Sequence, residues 1–108
     1  MEVNMIYIRS KHYNSKIKDA IHSIHEHEYA KAHDFINDAN TLDENAPDCH
    51  NLLGILFEVQ GNLLQAAKHY RAALALEPSF RPAINNLTRV TSINYHFDYQ
   101  KIDYGSLQ

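Results

Sequence analysis

PDCHNLLGILFEVQGNLLQAAKHYRAALALEP, residues 47–78, is the stretch that decides the fold. Its first half places Cys49, Leu52, Leu53, Leu56, Phe57 and Val59 at intervals of three and four, the period of an amphipathic helix. Pro47 suits the first helical turn, where its missing N–H has no intrahelical partner. Gly61 predicts the stop, because glycine accepts the left-handed conformation found at helix C-termini. Asn62 is a good cap for a second helix, Leu63 to Leu76. That helix carries Leu63, Ala66, Ala67, Tyr70, Ala73, Leu74 and Leu76 on one side. Glu77-Pro78 ends it, since the residue before proline is pushed out of the helical region. A short connection makes the two helices antiparallel neighbours.

The same plan extends in both directions. Downstream, Ser79 is suited to cap a third helix from Phe80 through Val90. Upstream, Asn14 or Ser15 is expected to start a helix carrying Ile17, Ala20, Ile21 and Ile24. A second helix from Tyr29 carries Ala32, Phe35, Ile36, Ala39 and Leu42. Strand-like alternation is confined to Met5–Ile8. The predicted class is therefore all-α.

The two pairs are also alike at one offset. Ala66 and Ala32, Ala73 and Ala39, Leu76 and Leu42, Tyr70 and Ile36, and Gly54 and Ala20 each stand 34 residues apart. A period of 34 with two helices per unit resembles the tetratricopeptide repeat. In that family the first helix carries a large residue, then Leu-Gly, then an aromatic; here these are His50, Leu53-Gly54 and Phe57. The turn glycine is Gly61, and the second helix supplies Ala66, Tyr70, Ala73, Leu76 and the closing Pro78. Residues 13–46 fit less closely: Asp19 stands where Leu is expected, His27 replaces the turn glycine and Glu44 the final proline. Residues 81–104 look like a partial third unit, with Ile84 and Leu87 in register and Thr88 in place of glycine, followed by a capping helix. Residues 1–12 form a separate N-terminal segment and 105–108 a frayed tail. The resemblance implies antiparallel helix-turn-helix units stacked as a short right-handed α-solenoid sharing one core.

It also implies a groove lined by the first helix of each unit, receiving a peptide or helix of a protein partner. Helical spacing points Asn14, Ile17, Ile21, Ile24 and His25 inward from the first unit, Asp48, Asn51, Ile55, Glu58 and Val59 from the second, and Asn85 and Arg89 from the third. Family members that grip chaperone C-terminal carboxylates use lysine, asparagine and basic positions; only Asn51 matches, with Ile17, Ile21, Pro82 and Asn86 in the other places. The groove is apolar instead. Such a patch marks an interaction site or is covered. Its cover is a partner's amphipathic helix, one of the chain's own ends (Met5 to Ile8 or Tyr95 to Tyr104), or a second copy in a homo-oligomer.

Composition narrows the rest. With 44% hydrophobic residues and only three Gly and three Pro in 108, the chain has the makings of one packed domain. It contains no apolar run of about 18 residues, so no membrane span is expected, and its N-terminus does not read as a secretory signal. A lone cysteine fits a reducing, cytoplasmic setting. The net charge of −3 argues against a nucleic-acid partner. It conceals an acidic middle: residues 19–60 carry nine acids and one base, whereas both flanks are mildly basic. His22, His25 and His27 stand close enough on a helix end to offer ligands to zinc or nickel. No cysteine pair or HExxH spacing accompanies them, and no metal or cofactor is assigned. Cys49 beside Asp48 and His50 lacks the facing geometry of a catalytic dyad and reads as a small buried hydrophobe. No enzymatic role is expected.

Overall fold

The computed structural model describes residues 5–105, with side chains from residue 8 onward. Among these residues there are five α-helices, one 3-10 turn and no strand. The helices are α1 (Met5–His25), α2 (Tyr29–Leu42), α3 (Asp48–Val59), α4 (Leu63–Leu76) and α5 (Arg81–Val90). Helix α1 packs on α2, α2 on α3, α3 on α4, and α4 on α5, while α3 also touches α1 on one flank and α5 on the other, so that the three share one side. One buried cluster runs through them, from Tyr13, Ile17 and Ile24 through Ile36, Leu52 and Ile55 to Tyr70 and Val90.

The two inter-helix turns repeat in detail. The Asn62 N–H donates to Phe57 O at 2.9 Å, and 34 residues earlier Glu28 N–H donates to Ser23 O at 2.8 Å. Gly61 takes φ +83° and His27 takes φ +60°. Histidine thus occupies a left-handed site that glycine fills without strain. Its Nδ1 shares a 2.8 Å hydrogen bond with the Tyr29 hydroxyl, which helps to hold the turn. Asn62 caps α4 as expected, accepting from Gln65 N–H at 3.2 Å.

Small residues stand where axes approach. Ala20, Ala32, Ala39, Ala66 and Ala73 are all fully buried. A methyl group on Gly54 would overlap the ring of Tyr70, itself fully buried. The matching pair in the first unit is Ala20 with Ile36, also fully buried. The smaller Ile36 is thus paired with the residue that carries the extra methyl.

Several boundaries differ from expectation. Helix α1 begins at Met5, so Asn14 and Ser15 lie mid-helix and residues 5–12 are its first turns. No Gly or Pro interrupts the stretch, and buried Tyr13 continues the stripe of Ile17. The same helix replaces the alternation read in Met5–Ile8. Helix α5 is capped by Phe80 without a side-chain bond, and Pro82 rather than Ser79 sets its start. Leu76, expected inside, is 41% exposed as the last residue of α4.

The segment after α5 is not a capping helix. It turns, forms the 3-10 turn Tyr99–Lys101, and leaves it with Ile102 extended. Polar side chains take local backbone partners here: Asn94 N–H donates to Ser92 Oγ and Gln100 N–H to Asp98 Oδ1. Such bonds compete with helix formation. Of the tail expected to fray, residues 106–108 lie outside the described residues.

Candidate interaction groove

The side shared by α1, α3 and α5 is covered by the chain's own tail. Lys101 O accepts from Arg89 Nη1 at 2.8 Å, and Asp103 contacts Asn85 and Asn86. A Cβ on Gly105 would lie 3.7 Å from Pro82. The tail therefore runs antiparallel to α5. Ile102 and Tyr104 are each 6% exposed and belong to the central cluster, with Asp103 half-exposed between them. Alternate burial is the signature of an extended chain.

Besides the Lys101 carbonyl, its main chain is held at Asp103. Asn86 Nδ2 donates to Asp103 O at 2.9 Å, and Asp103 N–H donates back to Asn86 Oδ1 at 2.9 Å. Asn51 Nδ2 donates to the same carbonyl at 3.1 Å, while its Oδ1 accepts from Asn86 Nδ2. Arg89 Nη1 supplies the second donor to Asn86 Oδ1. Both donors and both acceptor sites of the Asn86 amide are used, as burial demands. The Asp103 carboxylate accepts from Asn85 Nδ2 at 2.9 Å and from Gly105 N–H at 3.0 Å.

Beside this clamp lies a buried ion pair. The Glu58 side chain is 0% exposed and that of Arg89 12%. Arg89 donates to both carboxylate oxygens, through Nη2 to Oε1 and Nε to Oε2. The Tyr70 hydroxyl donates to Oε1 at 2.7 Å and that of Tyr95 to Oε2 at 2.9 Å. Four donors thus converge on one buried carboxylate, compensating its loss of water. Burial, with the adjacent carboxylate, pushes the Tyr70 and Tyr95 hydroxyls well above the usual tyrosine range. Glu58 ties α3 to α4, α5 and the segment leading to the tail.

The other groove residues separate into floor, rim and outliers. Ile17, Ile21, Ile24 and Ile55 are 0–5% exposed and form core, while Val59 is half-buried against it. Asp48 is half-buried, accepts from the Tyr13 hydroxyl at 3.3 Å, and is lifted above the ordinary carboxylate value by burial. Asn14 is exposed in a pocket with Arg9, Tyr13 and Leu42. Spacing left Asn86 out of the lining, whereas the tail Tyr95–Tyr104 was among the covers expected, and it supplies Ile102, Asp103 and Tyr104. The doublet Asn85-Asn86 was the available signal. A strict period pairs Asn51 with the exposed Asn85, whereas α5 turns Asn86 inward.

His25 and His27 engage aromatic neighbours. His25 packs on Tyr104 at 5.0 Å between ring centroids, and His27 lies edge-on to Tyr29 and Tyr99. His22 is exposed. Among the described residues no group of three or more His, Cys, Asp or Glu side chains gathers where it could hold a metal ion. Cys49 is buried, and burial pushes its thiol up to about 11, the opposite of an activated nucleophile.

A family model described as Tetratricopeptide repeat matches residues 47–80. Residues 47–80 are a tetratricopeptide repeat. The match spans α3, its turn and α4, with Gly54 against Tyr70 at their crossing. Repeats of this family are typically non-catalytic modules of protein–protein interaction. No curated protein and no solved structure matches the chain. Among the described residues no helix is long and apolar enough to cross a membrane.

Proposed function

We propose that this protein is a non-catalytic adaptor or scaffold, working in the cytoplasm, that holds a peptide or helix of a partner protein on the side shared by α1, α3 and α5. One observation carries the reading. An extended stretch of the chain already lies there, gripped through its backbone by Asn51 and Asn86. Main-chain recognition of this kind is how a groove accepts a peptide, with flanking pockets supplying selectivity. His25, Asp48 and Asn85 are the rim groups available to a partner, over a floor of Ile17, Ile21, Ile24, Ile55 and Val59, with Arg89 held beneath them by Glu58.

Substitutions at Ile21 or Ile55 are poor probes, because both side chains are core. His25 and Asn85 are exposed and bracket the tail. Peptides selected from a displayed library on the full chain are expected to lose binding to a His25→Asp/Asn85→Asp variant that keeps its helical circular dichroism. Equal binding to both proteins would place the interaction surface elsewhere. A second reading, assembly with another copy, draws on Leu64 at 78% and Ile93 at 97% exposure. Light scattering that shows a monomer at all concentrations would remove it.

A further inference from the structure

The tail is an imperfect occupant of its own groove. Ile102 and Tyr104 bury their side chains, and the Asp103 backbone is fully engaged. The Tyr104 hydroxyl, however, is buried with no hydrogen-bond partner, in a residue only 6% exposed. A buried donor left unpaired forfeits its bonds to water without replacement. The linker to α5 is mostly exposed from Thr91 to Phe97, and only Tyr95 of it reaches the core network. The bound segment is thus tethered by a poorly buried connection and carries one unfavourable group.

The pockets record what they fit. The first takes a branched apolar side chain, where Ile102 sits. The next position faces Asn85, which donates to a carboxylate. The third takes an aromatic ring against His25, where the hydroxyl of Tyr104 has no hydrogen-bond partner. The fourth is Gly105 at φ +92°, a conformation other residues adopt only with strain.

We infer that the groove's partner is an extended peptide of the pattern branched apolar–acidic–aromatic–glycine, preferring phenylalanine to tyrosine at the third place, and that the tail Ile102–Gly105 is a built-in competitor which such a partner displaces. The inference rests on the groove proposed above and specifies its ligand. A tail that occupies the site lowers apparent affinity by the fraction of molecules in which the site is free. Phenylalanine retains the ring contact with His25 and removes the unpaired hydroxyl.

The test uses two labelled peptides, residues 98–108 of this chain and the same sequence with Tyr104→Phe, titrated by fluorescence anisotropy into full-length protein. The receiving proteins are wild type and an Ile102→Ser/Tyr104→Ser variant whose own tail no longer fits. The variant is expected to bind about tenfold or more tightly than wild type. The phenylalanine peptide is expected to bind about fivefold or more tightly than the tyrosine one. Adding Asn86→Leu to the variant is expected to abolish binding.

Hydrogen exchange on wild type supplies an arm that does not depend on the variant folding. Excess phenylalanine peptide should accelerate exchange of the Asp103 amide, which donates to Asn86 in the closed form. Absence of binding to a folded variant, equal binding to variant and wild type, or unaltered Asp103 exchange would each overturn the inference. Concentration-dependent dimers of wild type that excess peptide leaves intact would overturn it in favour of a second copy. If library-selected peptides bind at His25 and Asn85 but lack this pattern, the groove stands and the proposed ligand falls.

Discussion

Gly54→Ala should be far more damaging than its size suggests, and the structure says why. The added methyl would meet the ring of Tyr70, not the end of a flexible chain. Tyr70 is fully buried, and its hydroxyl donates to Glu58 at 2.7 Å. The ring cannot slide away without drawing on that bond. Overpacking of this kind costs about 1–3 kcal/mol. Weakening a hydrogen bond to a buried carboxylate adds about 1.5–3 kcal/mol when it is lost outright. Replacing glycine inside a helix returns about 1 kcal/mol. The net expectation is a loss of about 2–4 kcal/mol, or about 10–20 °C in Tm for a chain of this size. The first unit supplies the control, because buried Ala20 and Ile36 hold the corresponding positions 34 residues earlier. In a Tyr70→Ile background the same Gly54→Ala change should be neutral or stabilising by about 1 kcal/mol. Urea denaturation of the four proteins of this double-mutant cycle measures the coupling. If Gly54→Ala costs the same in both backgrounds, the proposed contact is not what makes the glycine necessary.

Three other outcomes follow from the packing and the buried charges. Ala66→Leu should cost about 1–3 kcal/mol by overpacking at a fully buried site, read as a lower urea midpoint. Glu58→Gln should cost about 3–5 kcal/mol, because it leaves the largely buried Arg89 without its countercharge. Stability should also fall as pH rises above about 9: the Cys49 thiol is held up to about 11 in the fold against 9.0 when unfolded, so the unfolded chain loses its proton first. Tyr13 and Tyr70, raised by burial, extend that loss above about pH 10. Denaturant midpoints between neutral pH and about pH 10.5 check this, and Cys49→Ala should flatten the first part of the fall.

The repeat was legible because its signals are local or periodic. Gly61, Asn62 and Pro78 act on the backbone within a few residues, and the buried alanines recur at a fixed offset. The start of α1 was not legible, because Asn14 and Ser15 imitate a cap that the uninterrupted helix never uses. Asn86 escaped because a strict period selects its neighbour. Glu58 and Arg89 were expected on the groove wall, but their pairing depends on α3 and α5 meeting, which no spacing along one helix records. The nine acids of residues 19–60 illustrate the same limit. All but Asp48 and Glu58 are exposed, so most of the acidic middle is solvated surface. The one acid that organises the structure looks no different in sequence from the rest.

The course of the tail follows from which surface still needs burial after α5. That helix turns Arg81, Thr88 and its cap Thr91 outward and Ala83, Asn86 and Val90 inward. Its outer side is polar, as the last unit of a solenoid requires, and water satisfies it without a further helix. The side shared with α1 and α3 has the opposite character, an isoleucine floor beneath the Asn51 and Asn86 amides, whose partners the tail's backbone supplies. A tail bearing Ile102 and Tyr104 at alternate positions gains apolar burial there and nothing on the outer side. Yet the same pattern that sends the tail inward leaves a hydroxyl unpaired and an exposed linker behind it. The closed groove is therefore stable enough to form and poorly enough fitted for a better-matched peptide to open it.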